Sequence, residues 1–160
     1  MGVAGSGKTT IGRKVATALG WPYFEADDFH PATNIAKMSQ GQPLNDSDRA
    51  PWLTSIRAKM NECRAAGQSA VFTCSALKER YRSLLGVGAA HVRLVHLTGD
   101  MPTLLARLAQ RQGHYMKPEM LQSQLDALEP PAAALTIDVK LPPEEIVQQI
   151  VLQVRAGQRS

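Results

Sequence analysis

The sequence predicts an α/β fold with a mostly parallel sheet, carried by one domain spanning residues 1–160. Three observations carry that expectation. The chain opens on Gly2-Val3-Ala4-Gly5-Ser6-Gly7-Lys8-Thr9, which matches the phosphate-binding loop pattern G-x-x-x-x-G-K-[ST] and should open a helix. Short apolar runs of strand length then alternate with helical patterns to the end of the chain. At 160 residues, with 44% hydrophobic and 20% charged side chains, the chain is long and apolar enough for a sizeable core.

From Thr10 onward, Ile11, Val15, Ala18 and Leu19 recur at helical spacing until Gly20 ends the run. Residues 21–26 read as a short strand ending in acidic groups. Residues 31–40 form a short helix, stopped by Gly41 and Pro43. Residues 45–48 offer several N-caps, and Pro51 suits the first turn of a helix reaching about residue 66, closed by Gly67. Residues 69–74 are a buried-strand candidate, followed by a helix over 77–85 and another strand over 91–97. A helix over 102–111 breaks at Gly113 and resumes over 118–128. After the Glu129-Pro130-Pro131 loop come a strand at 135–138 and a helix at 143–155, with Ile146, Val147, Ile150, Val151 and Val154 on one face.

Composition narrows the function. No apolar run reaches membrane-spanning length and no basic-then-apolar leader opens the chain, so the expectation is a cytoplasmic protein. Cys63 and Cys74 have no metal or disulfide spacing and read as buried free thiols. The net charge is +4, yet Lys and Arg are scattered and aromatics are few. That favours small phosphate and carboxylate partners over a nucleic acid.

In open parallel sheets, ligands bind beyond the carboxyl ends of the strands. Beyond the first visible strand lie Glu25, Asp27, Asp28 and His30, and the three carboxylates are able to orient a hydroxyl, take its proton or hold metal-bound water. Asp28 doubles as a candidate helix cap. Beyond the 69–74 strand, Lys78 and Arg82 are four apart and suit a substrate anion, with a solvated helix face as the plain alternative. Arg107 and Arg111 repeat that spacing just before Gly113-His114, as a lid over phosphates requires.

These pieces together resemble a gluconokinase of the small P-loop kinase type, related to shikimate kinases and nucleoside monophosphate kinases. The matching stretches are GVAGSGKT, ADDFHPATNIAKMSQGQPLNDSDRAPWL, CSALKERYR, RLAQRQGHYM and LQSQLDALEPP. The resemblance implies a three-layer α/β/α kinase fold using ATP and Mg²⁺ to phosphorylate D-gluconate at its 6-hydroxyl. It places ATP against Gly2, Val3, Ala4, Gly5, Ser6, Gly7, Lys8, Thr9 and Thr10, and against Arg107 and Arg111 of a lid at about 107–118. Lys8, Asp27 and Arg111 would be catalytic, Thr9 would hold Mg²⁺, and Glu25 would reach the metal through water. Asp27, His30, Arg49, Lys78, Arg82 and His114 would surround the sugar acid, mostly from a helical region at about 27–66. A homodimer is common in the family.

Two departures accompany the resemblance. Glu25 stands where these kinases often carry Asp. The family's first strand precedes the loop and is central, in the order 2-3-1-4-5, yet only Met1 precedes Gly2 here. The expectation is therefore that this central strand is missing from the chain. On the residues alone, another small-molecule or nucleotide kinase, or a non-catalytic nucleotide-binding protein, stays open.

Overall fold

In the computed structural model, which describes residues 1–110 and 118–157, the phosphate loop leads directly into α1 (Lys8–Leu19), with Gly7 as its N-cap at φ 83°. The chain continues through β1 (Tyr23–Glu25), a 3₁₀ turn (Ala26–Phe29), α2 (Ala32–Ser39), α3 (Asp46–Ala65), β2 (Val71–Thr73) and α4 (Glu79–Leu84). The second half holds β3 (Val95–Thr98), α5 (Met101–Ala109), α6 (Pro118–Asp126), β4 (Leu135–Asp138) and α7 (Pro143–Ala156).

The α3 helix starts earlier than Pro51 suggested. Asn45 accepts from the Asp48 amide at 2.9 Å while Asp48 accepts from the Asn45 amide at 3.0 Å, a reciprocal capping box that satisfies two end groups at once. The cap sets the start, and Pro51 is carried inside the helix. The third strand is shorter than expected: residues 91–94 lie outside it and only Val95–Thr98 pair.

All strand pairing is parallel, but the expected single sheet is present as two pairs. Phe24 is opposite Phe72 in β1–β2, and Leu97 is opposite Ile137 in β3–β4. Met1 and Gly2 pass between β2 and β3. The Met1 amine donates to Val95 O at 2.5 Å, Leu97 N donates to Met1 O at 2.9 Å, and Gly2 N donates to Ser75 O at 3.3 Å. These are the bonds a strand makes when paired on both edges, so the two residues tie the halves into the order β1-β2-(Met1–Gly2)-β3-β4. Among the described residues no strand lies in that central position. A cavity of about 570 Å³ sits there instead, walled by Val71 and Phe72 on one side and Leu94 and Val95 on the other.

The core divides the same way. Val3, Ile11, Val15, Leu97, Leu104, Ile137 and Ile146 pack in one cluster around α1, β3, β4 and α7. Ala26, Trp52, Leu53, Ile56, Cys74, Tyr81 and Leu85 pack in another around α3, α4 and the end of β2. Burial of these apolar groups is the main force holding each half. Cys63 and Cys74 are buried free thiols, as expected.

Candidate active site

The phosphate loop is shaped by backbone. A side chain on Gly5 (φ 78°) would approach Leu104 O to 2.8 Å, so only glycine lets the loop lie against α5 at that point. Val3 is buried in the core. Ser6 is fully buried, its hydroxyl donating to Val3 O at 2.8 Å, and the Ala4 amide donates to Gln124 Oε1 of α6 at 2.8 Å. The Ser6 hydroxyl and the Ala4 amide thus help to build the loop. Lys8 Nζ reaches back to Val3 O at 3.0 Å, over the same turn. Thr10 is exposed on the first turn of α1. Glycine conformations at the loop and a helix N-terminus behind it make an anion cradle.

Arg107 reaches the loop from α5. Its Nη1 lies 3.5 Å from where a Gly7 side chain would begin, and its Nη2 donates to Val139 O just past β4. Its guanidinium therefore sits at the rim of the cradle. Arg111, Gly113 and His114 lie outside the described residues, so the expected lid is represented here by Arg107 alone.

A hydroxyl network joins the loop to the end of β1. Thr9 Oγ1 donates to Glu25 Oε2 at 2.9 Å, and Thr73 Oγ1 donates to Glu25 Oε1 at 2.8 Å. The Tyr23 hydroxyl donates to Glu25 Oε2 at 2.5 Å and lies 2.7 Å from Thr73 Oγ1. Burial and then the neighbouring Glu25 carboxylate push the Tyr23 phenol above its usual range, keeping it a donor. Thr9 and Glu25 present oxygen donors only, the chemistry that Mg²⁺ takes alongside substrate phosphates, so the residues fit that ion. Alternation along a strand places Tyr23 on the same face as Glu25, a signal present in the sequence; Thr73 had no local signal.

Asp27 is exposed in the 3₁₀ turn that follows β1, and its carbonyl accepts from the His30 amide at 3.3 Å. Asp28 is exposed in the same turn. The His30 ring stacks on Trp52 at 4.4 Å between centroids and 12° between planes. Burial, then the Arg49 guanidinium, lower the His30 pKa against the opposing pull of Asp27, which leaves the ring neutral at pH 7.

Across from this turn, charges converge on Asp46. The Tyr81 hydroxyl and the Arg80 guanidinium bond its carboxylate, and Lys78 Nζ lies 3.7 Å from it. The bonded Tyr81 hydroxyl, and then Arg80 and Lys78, hold Asp46 below the usual carboxylate range. Arg49 packs over the Tyr81 ring, 5.8 Å from its centroid. Lys78 and Arg49 thus stand on one aromatic platform, and the sequence offered no sign of Asp46 as their organiser.

Arg82 corrects the sequence expectation. It is 1% exposed, and its guanidinium donates to Ala76 O at 3.1 Å, Leu77 O at 2.9 Å and Glu79 Oε2 at 2.6 Å. These bonds brace the loop in which Ala76 adopts φ 45°, a left-handed conformation rarely open to alanine. Arg82 supports the segment carrying Lys78 from beneath, and its own fork is spent on that task.

Against known proteins, the chain matches the family model described as Shikimate kinase over residues 4–155. It is 44% identical to a probable gluconokinase of Xenopus tropicalis, over 94% of this chain and 88% of that protein. It is 40% identical to a gluconokinase of Gluconobacter oxydans, over 98% of this chain and 89% of that one. The crystal structure of a gluconokinase from Sinorhizobium meliloti superposes with a TM-score of 0.87 at 39% identity, covering 99% of this chain and 91% of that chain. With this agreement in sequence and in three-layer fold from end to end, the chain belongs to the gluconokinase family, a kinase within the wider shikimate kinase group.

Proposed function

We propose that this chain transfers the γ-phosphoryl group of ATP to D-gluconate, giving ADP and 6-phospho-D-gluconate. The observation that carries the reading is the Thr9–Glu25 bond. It sets the phosphate cradle against the strand end from which Asp27 and His30 follow, so donor and acceptor share one cleft. The sugar acid comes from the relatives, which are gluconokinases by name.

Phosphoryl transfer asks a protein mainly for position and charge. Lys8 and Arg107 neutralise phosphate oxygens, with Arg111 completing the lid. Thr9 and Glu25 would hold Mg²⁺, which supplies further neutralisation when bound. Asp27 takes the acceptor hydroxyl's proton, and His30, Arg49 and Lys78 hold the sugar acid, His114 joining them from the lid. Among the described residues no helix is long and apolar enough to cross a membrane. A cytoplasmic setting, where ATP is plentiful, fits the proposed chemistry.

The test is ADP release with D-gluconate, shikimate and nucleoside monophosphates under identical conditions. Gluconate should give the highest kcat/KM by at least about tenfold, one well-placed hydrogen bond's worth of discrimination. A preference for shikimate or a nucleotide, or ATP hydrolysis without a phosphorylated acceptor, would overturn the assignment.

A further inference from the structure

We infer that Asn34 is a positioning residue that holds His30 in its Nε2–H tautomer, so that His30 meets the acceptor as a hydrogen-bond donor and never as its base. The inference rests on the proposed acceptor site, and it assigns the proton chemistry within that site to two different residues.

Asn34 is 2% exposed on α2. Its Nδ2 lies 2.8 Å from the backbone oxygen of Asp48 and 3.3 Å from His30 Nδ1. A carbonyl oxygen only accepts, so the Asp48 contact fixes which end of the amide carries hydrogen. The second amide hydrogen is then directed at His30 Nδ1, which receives it only through a lone pair. In the neutral ring the proton must therefore sit on Nε2.

The ring has little freedom to evade this. Trp52 covers one face, and Trp52 is itself pinned by its Nε1, which donates to Ala26 O at 2.6 Å. Asp48 is anchored by the α3 capping box and by Lys37 at 2.6 Å, so the carbonyl that orients Asn34 belongs to a well-tied helix start. The charged groups acting on the ring are Asp27 and Arg49, and with burial their net effect keeps it neutral at pH 7.

The chemical consequence is a division of labour. A neutral imidazole whose Nδ1 lone pair is already occupied has only an N–H left to offer. It can donate to a hydroxyl or carboxylate oxygen, both abundant in a polyhydroxy acid, but it cannot accept the hydroxyl proton. Asp27, exposed three residues earlier, is left as the proton acceptor. The H-P-x-x-N spacing of residues 30–34 is then a requirement of the acceptor pocket: His30 ends the 3₁₀ turn in extended conformation, and Asn34 sits on the first turn of α2, where its amide reaches back to the ring.

The experiment is long-range ¹H–¹⁵N correlation on the imidazoles of the uniformly labelled, unliganded protein at pH 8, with His30 assigned by loss of its signals in His30→Gln. The expected result is protonated Nε2 and bare Nδ1. In Asn34→Leu, which removes the donor at similar volume, the ring should shift to a mixture of tautomers. KM for gluconate should rise about tenfold while KM for ATP stays within about twofold, the loss of one oriented hydrogen bond.

His30→Gln, which keeps an N–H near the Nε2 position, should retain most of the acceptor affinity that His30→Ala loses. Protonated Nδ1 in the wild-type protein overturns the inference, as does an Asn34→Leu protein with unchanged tautomer and unchanged gluconate KM. If Asn34→Leu does not fold, the wild-type spectrum and the His30 pair decide. A bare Nδ1 in a protein that does not phosphorylate gluconate would leave the role of Asn34 standing and defeat the acceptor assignment instead.

Discussion

Between Gly2 and Thr9 the cleft is shaped by main chain: glycine dihedrals, a helix N-terminus, the Val3 carbonyl held by the Ser6 hydroxyl and the Ala4 amide held by Gln124. Across the cleft, between Asp27 and Arg82, it is shaped by side chains from α2, α3, the loop after β2 and α4, held by Asp46, Trp52 and Asn34. The two halves also rest on different core clusters, and Met1–Gly2 and the Thr9–Glu25 bond are among the links that cross between them. A backbone-built cradle recognises the invariant part of a reaction, the phosphates. A side-chain-built pocket recognises the variable part, the acceptor, because side chains are what substitution can change.

The largest expected effect breaks the first half alone. Lys8→Ala should cut turnover by about a thousandfold, the scale of removing a charge aimed at a developing anion. Its melting temperature should stay within a few degrees, since Lys8 lies at the loop and belongs to neither apolar core cluster. Near-normal turnover would remove the loop from the chemistry.

Within the second half, Arg82 and Lys78 should separate. Arg82→Met leaves the Ala76 and Leu77 carbonyls without their buried partner, a loss of about 3 kcal/mol. That corresponds to a melting temperature roughly 10 °C lower. Lys78→Met should leave stability unchanged and raise the gluconate KM about tenfold, one charge-assisted contact. Thermal melts beside acceptor kinetics read both; the reverse pattern would return Arg82 to the substrate and Lys78 to the scaffold.

A pH-dependent effect lies where the halves meet. Burial, and then the nearby Lys8 ammonium, lower the Met1 amine from 8.0 to about 5. The unfolded chain therefore binds more protons between those values, and stability falls as pH drops from 8 toward 5. Burial lowers His30 and His96 as well, adding the same sign only below about 6.5. N-terminal acetylation should flatten the melting-temperature profile across about pH 5 to 8, most of all between 6 and 7, and leave only the histidine contribution below about 6.5. An unchanged profile would mean that the amine stays hydrated.

How much the sequence revealed follows the same division. The loop, α1, the strand ends and the carboxylates beyond β1 were legible because each depends on neighbours within a few residues. Asn45 is among the N-caps the sequence offered, and its box with Asp48 starts the helix early enough that Pro51 falls past the first turn rather than within it. Arg82 misled because helical spacing reports a shared face without saying whether that face meets solvent or the interior. Asp46, Thr73 and Asn34 could not be assigned from spacing, since their partners are Tyr81, Glu25 and the Asp48 carbonyl, brought near only by folding.

The separability of the two halves is tested most directly at Asp27, two residues past the Glu25 that bonds Thr9. Titration calorimetry of Mg·ATP into Asp27→Asn, beside gluconate-dependent turnover of the same preparation, measures both halves at once. ATP affinity should stay within about twofold of wild type while turnover falls at least about a hundredfold, the scale of a lost proton acceptor. ATP affinity that falls in step with turnover would contradict that separability and place Asp27 on the nucleotide side.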